Sequence, residues 1–226
     1  MKKNVSERDN FSYLLISLVF LLFSSACVDE FMILSGLGQY FVVALTIISM
    51  SIGVWSIRSS RYAFNTSLGL VLGILVITLI VGVLDMAQLE FIHILLMLFF
   101  FLITLKLASE QALFSGQITS NSIIGSICIF LLLGLIWVML YLLVAEFIPD
   151  AFSGVEQTSW KQNLPDFIYF SFVTLTTLGF GDLLPLSPLA RFLVYMEAVV
   201  GVFYMAIVVS SLVGAALSDS ATDKKS

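Results

Sequence analysis

Six apolar windows, near residues 11–27, 39–57, 67–84, 90–108, 122–145 and 189–217, leave this chain few folds to choose from. A helix rises ~1.5 Å per residue and the hydrocarbon core of a bilayer is ~30 Å thick, so windows near ~20 residues predict membrane-spanning helices. With 60% hydrophobic residues, 11% charged residues and a mean hydropathy of +1.08, the composition excludes an ordinary soluble domain. The expected fold class is an all-α integral membrane protein with six transmembrane helices.

Between the fifth and sixth windows the pattern breaks. Residues 165–177 could form a helix of only ~20 Å, too short to cross the bilayer, so a re-entrant pore helix that spans half of it is predicted there. Pro165 suits a first helical position and Asp166 the positive end of the helix dipole, so the helix is expected to start at Pro165 and to aim its C-terminal end, near Thr176 and Thr177, inward. Next comes a polar, glycine-rich insert, Thr174-Leu175-Thr176-Thr177-Leu178-Gly179-Phe180-Gly181-Asp182. Irregular backbone persists at membrane depth only where protein buries it or where it lines a watery cavity. Gly179 and Gly181 permit φ angles closed to other residues, which lets successive carbonyls turn toward one axis and replace the water around a cation.

The stretch Thr177-Leu178-Gly179-Phe180-Gly181-Asp182 resembles the selectivity filter of the tetrameric potassium channels, TVGYG, with Leu for Val and Phe for Tyr. The resemblance covers roughly residues 122–217, where the order of apolar helix, short amphipathic helix, filter and apolar helix interrupted by Gly201 also fits. It implies a homotetrameric pore in which three identical subunits complete the ring, with K+ as the permeant ion and no cofactor. The carbonyls of Thr177, Leu178, Gly179 and Phe180 and the Thr177 hydroxyl would be the K+ ligands. The Leu178 and Phe180 side chains would face away from the axis, and Phe180, lacking a phenol, would leave the outer filter looser.

Asp182 closes the filter. Some relatives carry a pore-helix glutamate where this chain has Val173, and others a tryptophan where it has Tyr169. The resemblance therefore suggests that the Tyr169 hydroxyl bonds Asp182, the alternative being a ring that merely packs. Gly201 stands where relatives place a gating hinge, although close helix packing explains a glycine equally well. Glu197 is the only carboxylate inside the last apolar window, and an intramembrane charge is a functional candidate. It is expected to face protein and to bond the back of the filter or the pore helix, as filter support, while Arg191 could pair with a neighbouring acid.

Topology follows from the basic residues, which favour the cytoplasmic side of short loops. Lys2, Lys3, Arg8, Arg58, Arg61, Lys106, Lys224 and Lys225 fall on one side and only Lys161 and Arg191 on the other. The protein is thus expected in the cell membrane, multi-pass, with both termini cytoplasmic and the outer mouth of the filter outside. Residues 146–182 carry Glu146, Asp150, Glu156, Asp166 and Asp182 against Lys161 alone, a single-sign charge that concentrates cations at an entrance. The start of the chain also reads as a secretory signal, but apolar character resumes at Phe31 and favours a retained helix. Cys27 and Cys128 have no metal or disulfide spacing and are expected to pack.

Residues 1–120 have the helix count of a voltage-sensor domain, residues 121–218 would be the pore domain and 219–226 a short cytoplasmic tail. Voltage sensing needs charges that move through the field, worth ~2.3 kcal/mol each per 100 mV, and Leu89–Ala108 contains no arginine. No catalytic constellation is present, which argues against an enzyme, and nothing points to nucleic acid. The expected function is passive, K+-selective conduction with weak or no voltage dependence. The alternatives are a poorly selective monovalent cation channel, which Leu178 and Phe180 allow, and a non-conducting accessory subunit of a channel complex.

Overall fold

The computed structural model describes residues 10–32, 46–48, 50–52, 61–84, 90–113, 120–155, 160–210 and 214. The chain is mostly helical: α1 (Asn10–Met32), α2 (Arg61–Leu84), α3 (Glu90–Leu113), α4 (Ser120–Phe147), α5 (Trp160–Leu175) and α6 (Pro188–Phe203), the last continuing into a π-helical turn, Tyr204–Val209. Among the described residues, three helices are long and apolar enough to cross a membrane: Phe91–Ala112, Asn121–Phe147 and Pro188–Ile207. Shorter apolar helical stretches run over Phe11–Cys27 and Leu68–Thr78. The second expected span, 39–57, lies largely outside the described residues, of which 46–48 and 50–52 are helical.

The long helices form because their sequences are runs of Leu, Ile, Val and Phe whose backbone groups are satisfied internally. Several of their hydroxyls fold back on the same helix. Ser17 donates to the Leu14 carbonyl at 2.8 Å, Thr78 to Ile74 at 2.8 Å and Thr104 to Phe100 at 2.8 Å, so none of the three demands water.

α4 is the spine. α3 packs along it, α2 lies beside α3, α1 touches α4 and α5, and α5 and α6 pack on its other side and on each other. Leu132, Leu135, Tyr141, Phe101 and Phe167 are among the most deeply buried side chains. Beside the C-terminal end of α4 the rings of Tyr141, Phe152, Phe167 and Phe170 cluster, with Phe152 edge-on to Phe167 at 4.9 Å.

Three features depart from the sequence reading. First, α5 begins at Trp160, not at Pro165, which sits inside the helix. Pro165 has no N–H to offer the Lys161 carbonyl, but the turn before it is held by the buried side chains of Trp160, Asn163 and Leu164. Its 16 residues give ~24 Å, still short of a membrane crossing. Second, the otherwise all-α fold carries one small addition, as β1 (Phe152–Ser153) and β2 (Leu184–Pro185) pair antiparallel, Phe152 opposite Pro185 and Ser153 opposite Leu184. Third, the last helix widens into the π turn just past Gly201.

Candidate functional site

The site is built from the C-terminal end of α5 outward. Leu178 N–H donates to the Val173 carbonyl at 2.9 Å and Thr177 N–H to the Thr174 carbonyl at 2.9 Å. These are the two bonds of a Schellman motif with Thr177 at the left-handed position after the cap, and its φ is 63°. Glycine usually fills that position, and a β-branched residue there carries strain of about 1–3 kcal/mol. The Gly179 N–H reaches the same Val173 oxygen at 3.4 Å, so helix and insert form one hydrogen-bonded unit.

Beyond the cap, φ alternates in sign. Thr177, Gly179 (56°) and Gly181 (82°) are left-handed, whereas Leu178 and Phe180 are not. Alternating left- and right-handed curls keep successive peptide planes facing one way, gathering N–H groups on one side and carbonyl oxygens on the other. Glycine meets the left-handed demand without cost at two of the three positions. Leu178 (63%) and Phe180 (68%) are largely exposed in a single chain, as are the other residues from Thr176 to Asp182.

At the end of the insert, the expected bond is present: the Tyr169 hydroxyl donates to Asp182 Oδ2 at 2.6 Å. Leu183 N–H donates to Oδ1 at 3.1 Å. The Tyr169 hydrogen bond is the main cause holding the Asp182 carboxyl below its ordinary range, and the same bond raises the phenol. The strand pair braces this corner from outside, because Gly154, at φ 87°, lies so near the Asp182 carbonyl oxygen that a Cβ would overlap it. Val173 places a buried apolar side chain behind the insert and contributes only its carbonyl.

Behind α5 lies Glu197 of α6, with 0% of its surface exposed. Its Oε1 is 2.6 Å from the Ser171 hydroxyl of α5, and its Oε2 is hydrogen-bonded to the Tyr141 hydroxyl of α4. Ser171 Oγ also lies 2.9 Å from the Gly134 carbonyl of α4. Thus Glu197 bonds α5 and, in addition, α4. Gly201, one turn on, is buried against the Leu175 carbonyl oxygen, which a Cβ would overlap. The Tyr204 hydroxyl, at the start of the π turn, donates to the Ser126 carbonyl of α4. Arg191 donates to the Pro185 carbonyl at 3.2 Å and joins no acid among the described residues.

Sequence reasoning missed Tyr141 and Ser171 as partners of Glu197, and the Gly134 carbonyl as a partner of Ser171. A signal existed for two of them, since a tyrosine and a serine inside apolar helices need partners for their hydroxyls. Among the described residues, no group of three or more His, Cys, Asp or Glu side chains could hold a metal ion.

No curated protein and no solved structure matches the chain. Residues 127–217, less than half of the chain but most of the stretch from α4 through the insert to the last helix, match the model of a family described as ion channel, so this membrane protein carries an ion-channel domain and is read as a channel, not an enzyme.

Proposed function

We propose that four copies of this chain surround one pore and pass K+ passively across the membrane. The observation that carries the reading is the insert 177–181, whose φ alternates in sign at the end of a half-length helix between two long apolar helices. Four such inserts would offer rings of carbonyl oxygen from Thr177, Leu178, Gly179 and Phe180 in place of a K+ hydration shell, with the Thr177 hydroxyl at the inner end. The tetramer draws support from the backbone of residues 176–182, which is exposed and irregular in a single chain. Lipid would cover a bare apolar helix but cannot hydrogen-bond such backbone, which needs neighbouring protein or a watery cavity beside it.

Six spans place both termini in the cytoplasm and the acids between Glu146 and Asp182 around the outer mouth, where they enrich cations. The first four helices serve as scaffold, because the fourth carries no arginine and the membrane field has almost nothing to pull on. Gly201 and the π turn below it supply the bend by which the inner helix opens.

The test is the reversal potential of the purified protein in planar bilayers, with a K+ gradient opposed by Na+ and voltage scanned. Reversal near the K+ potential with nearly constant open probability is the expected result. Reversal near zero would make the protein a poorly selective cation channel, a reading favoured by the missing phenol at Phe180. Absence of current across all conditions would point to an accessory subunit.

A further inference from the structure

Three oxygen–oxygen contacts meet around Glu197: Ser171 Oγ with the Gly134 carbonyl, Ser171 Oγ with Glu197 Oε1, and Tyr141 Oη with Glu197 Oε2. Each needs a proton between its two oxygens. A serine hydroxyl owns one proton, a tyrosine hydroxyl owns one, and a carbonyl or carboxylate owns none. With Glu197 ionised, two protons must serve three contacts, and one pair of lone pairs is left face to face. A protonated Glu197 supplies the third, so that every contact is filled in one direction: Glu197 to Ser171, Ser171 to Gly134, Tyr141 to Glu197.

The surroundings agree with a neutral group. Glu197 is fully buried, and no basic side chain among the described residues pairs with it. α4 faces it with Tyr141 and α5 with Ser171, and among the described residues Tyr141 is the only titratable side chain bonded to it. Gly134 makes the arrangement reachable, because a Cβ there would stand 2.7 Å from the Phe172 ring and hold α5 away from the α4 carbonyl.

We propose that Glu197 is carried as the neutral acid, donating its proton to Ser171, and that this proton-filled chain across α4, α5 and α6 positions the helix behind the insert. The positioning role rests on the reading of α5 as a pore helix, whereas the proton does not. Glu197 and Ser171 are positioning residues, since neither reaches the conduction path.

The full chain in lipid bilayers at pH 7 is examined by infrared spectroscopy. A carboxylic-acid C=O band is expected, lost in Glu197→Gln and shifted in Ser171→Ala, where the acid proton has lost its acceptor. Glutamine matches the neutral acid, its NH2 facing Ser171 and its carbonyl facing Tyr141, so Glu197→Gln should keep the wild-type reversal potential while Glu197→Leu loses it. No acid band at pH 7 overturns the proposal, as does a band that neither substitution moves. Should Glu197→Gln fail to fold, the Ser171→Ala shift alone decides. A band that behaves as expected in a protein without current would sink the channel reading and leave the proton in place; current without the band would do the reverse.

Discussion

Two carboxylates, Glu197 and Asp182, are each held by a tyrosine hydroxyl, yet they sit in opposite solvents. Glu197 is sealed between three helices and bonded to Tyr141 and Ser171. Asp182 is exposed, bonded to Tyr169 and to the N–H of Leu183. The same chemistry therefore does different things. Behind the insert a lost bond cannot be replaced by water, and an unsatisfied buried group keeps its full desolvation cost of about 1–3 kcal/mol. At the mouth, water stands ready to substitute, and the bond fixes geometry more than it stabilises the fold. The buried bonds therefore weigh on folding and the exposed ones on the local geometry of the insert.

The contrast predicts its largest effect at Glu197. Glu197→Leu strands the Tyr141 hydroxyl outright and removes one of the two partners of Ser171, which keeps the Gly134 carbonyl, and should cost at least about 1–3 kcal/mol in thermal or detergent unfolding of the assembled protein. Adding Tyr141→Phe to that variant should recover part of the loss, because removing both partners of a buried bond is far milder than removing one. A Glu197→Leu protein as stable as the wild type would erase the distinction between the two carboxylates.

Gly201→Ala should come next. The atom its Cβ meets is the backbone oxygen of Leu175, which no side-chain rotation can move aside, so the helices must separate at an overpacking cost of about 1–3 kcal/mol. Because Leu175 ends α5, the displacement reaches Thr177 two residues later, and reduced K+ selectivity should accompany the stability loss. A variant that loses stability with unchanged reversal potential would show that α6 and the insert are mechanically separate, and the inner half of the comparison would then carry no functional weight.

The parts of this site legible in the sequence were those written in polar letters within an apolar text. Asp182 and Tyr169 were joined on spacing and resemblance, and Glu197 was directed toward α5 because a lone carboxylate in a membrane helix has nowhere else to go. What escaped was written in ordinary letters. Pro165 looks like a first-turn residue, yet the helix starts five positions earlier because Trp160 and Leu164 are buried, a tertiary fact that local pattern does not carry. Thr177 hides a helix cap that propensity assigns to glycine, since its left-handed φ is imposed by the bonds on either side. Strands of two residues have no period to detect, and the π turn at Tyr204–Val209 has no composition of its own.

The smallest stability effect belongs to Tyr169→Phe, and its reading is in pH. The Tyr169 bond favours the ionised form of Asp182 and lowers its folded-state value, so the linked interaction is fully present above the ordinary aspartate range near ~3.9 and disappears as pH falls through the lowered value. Without the hydroxyl, Asp182 should take up its proton at higher pH. Near neutral pH the variant should be slightly the less stable of the two, a difference that closes in acid, while the acid-side midpoint for loss of outer-mouth conductance, measured with external pH stepped downward, should lie higher in Tyr169→Phe than in the wild type. Coincident midpoints would mean that water replaces the phenol without consequence, and the outer carboxylate would then be a charge at an entrance and not a brace.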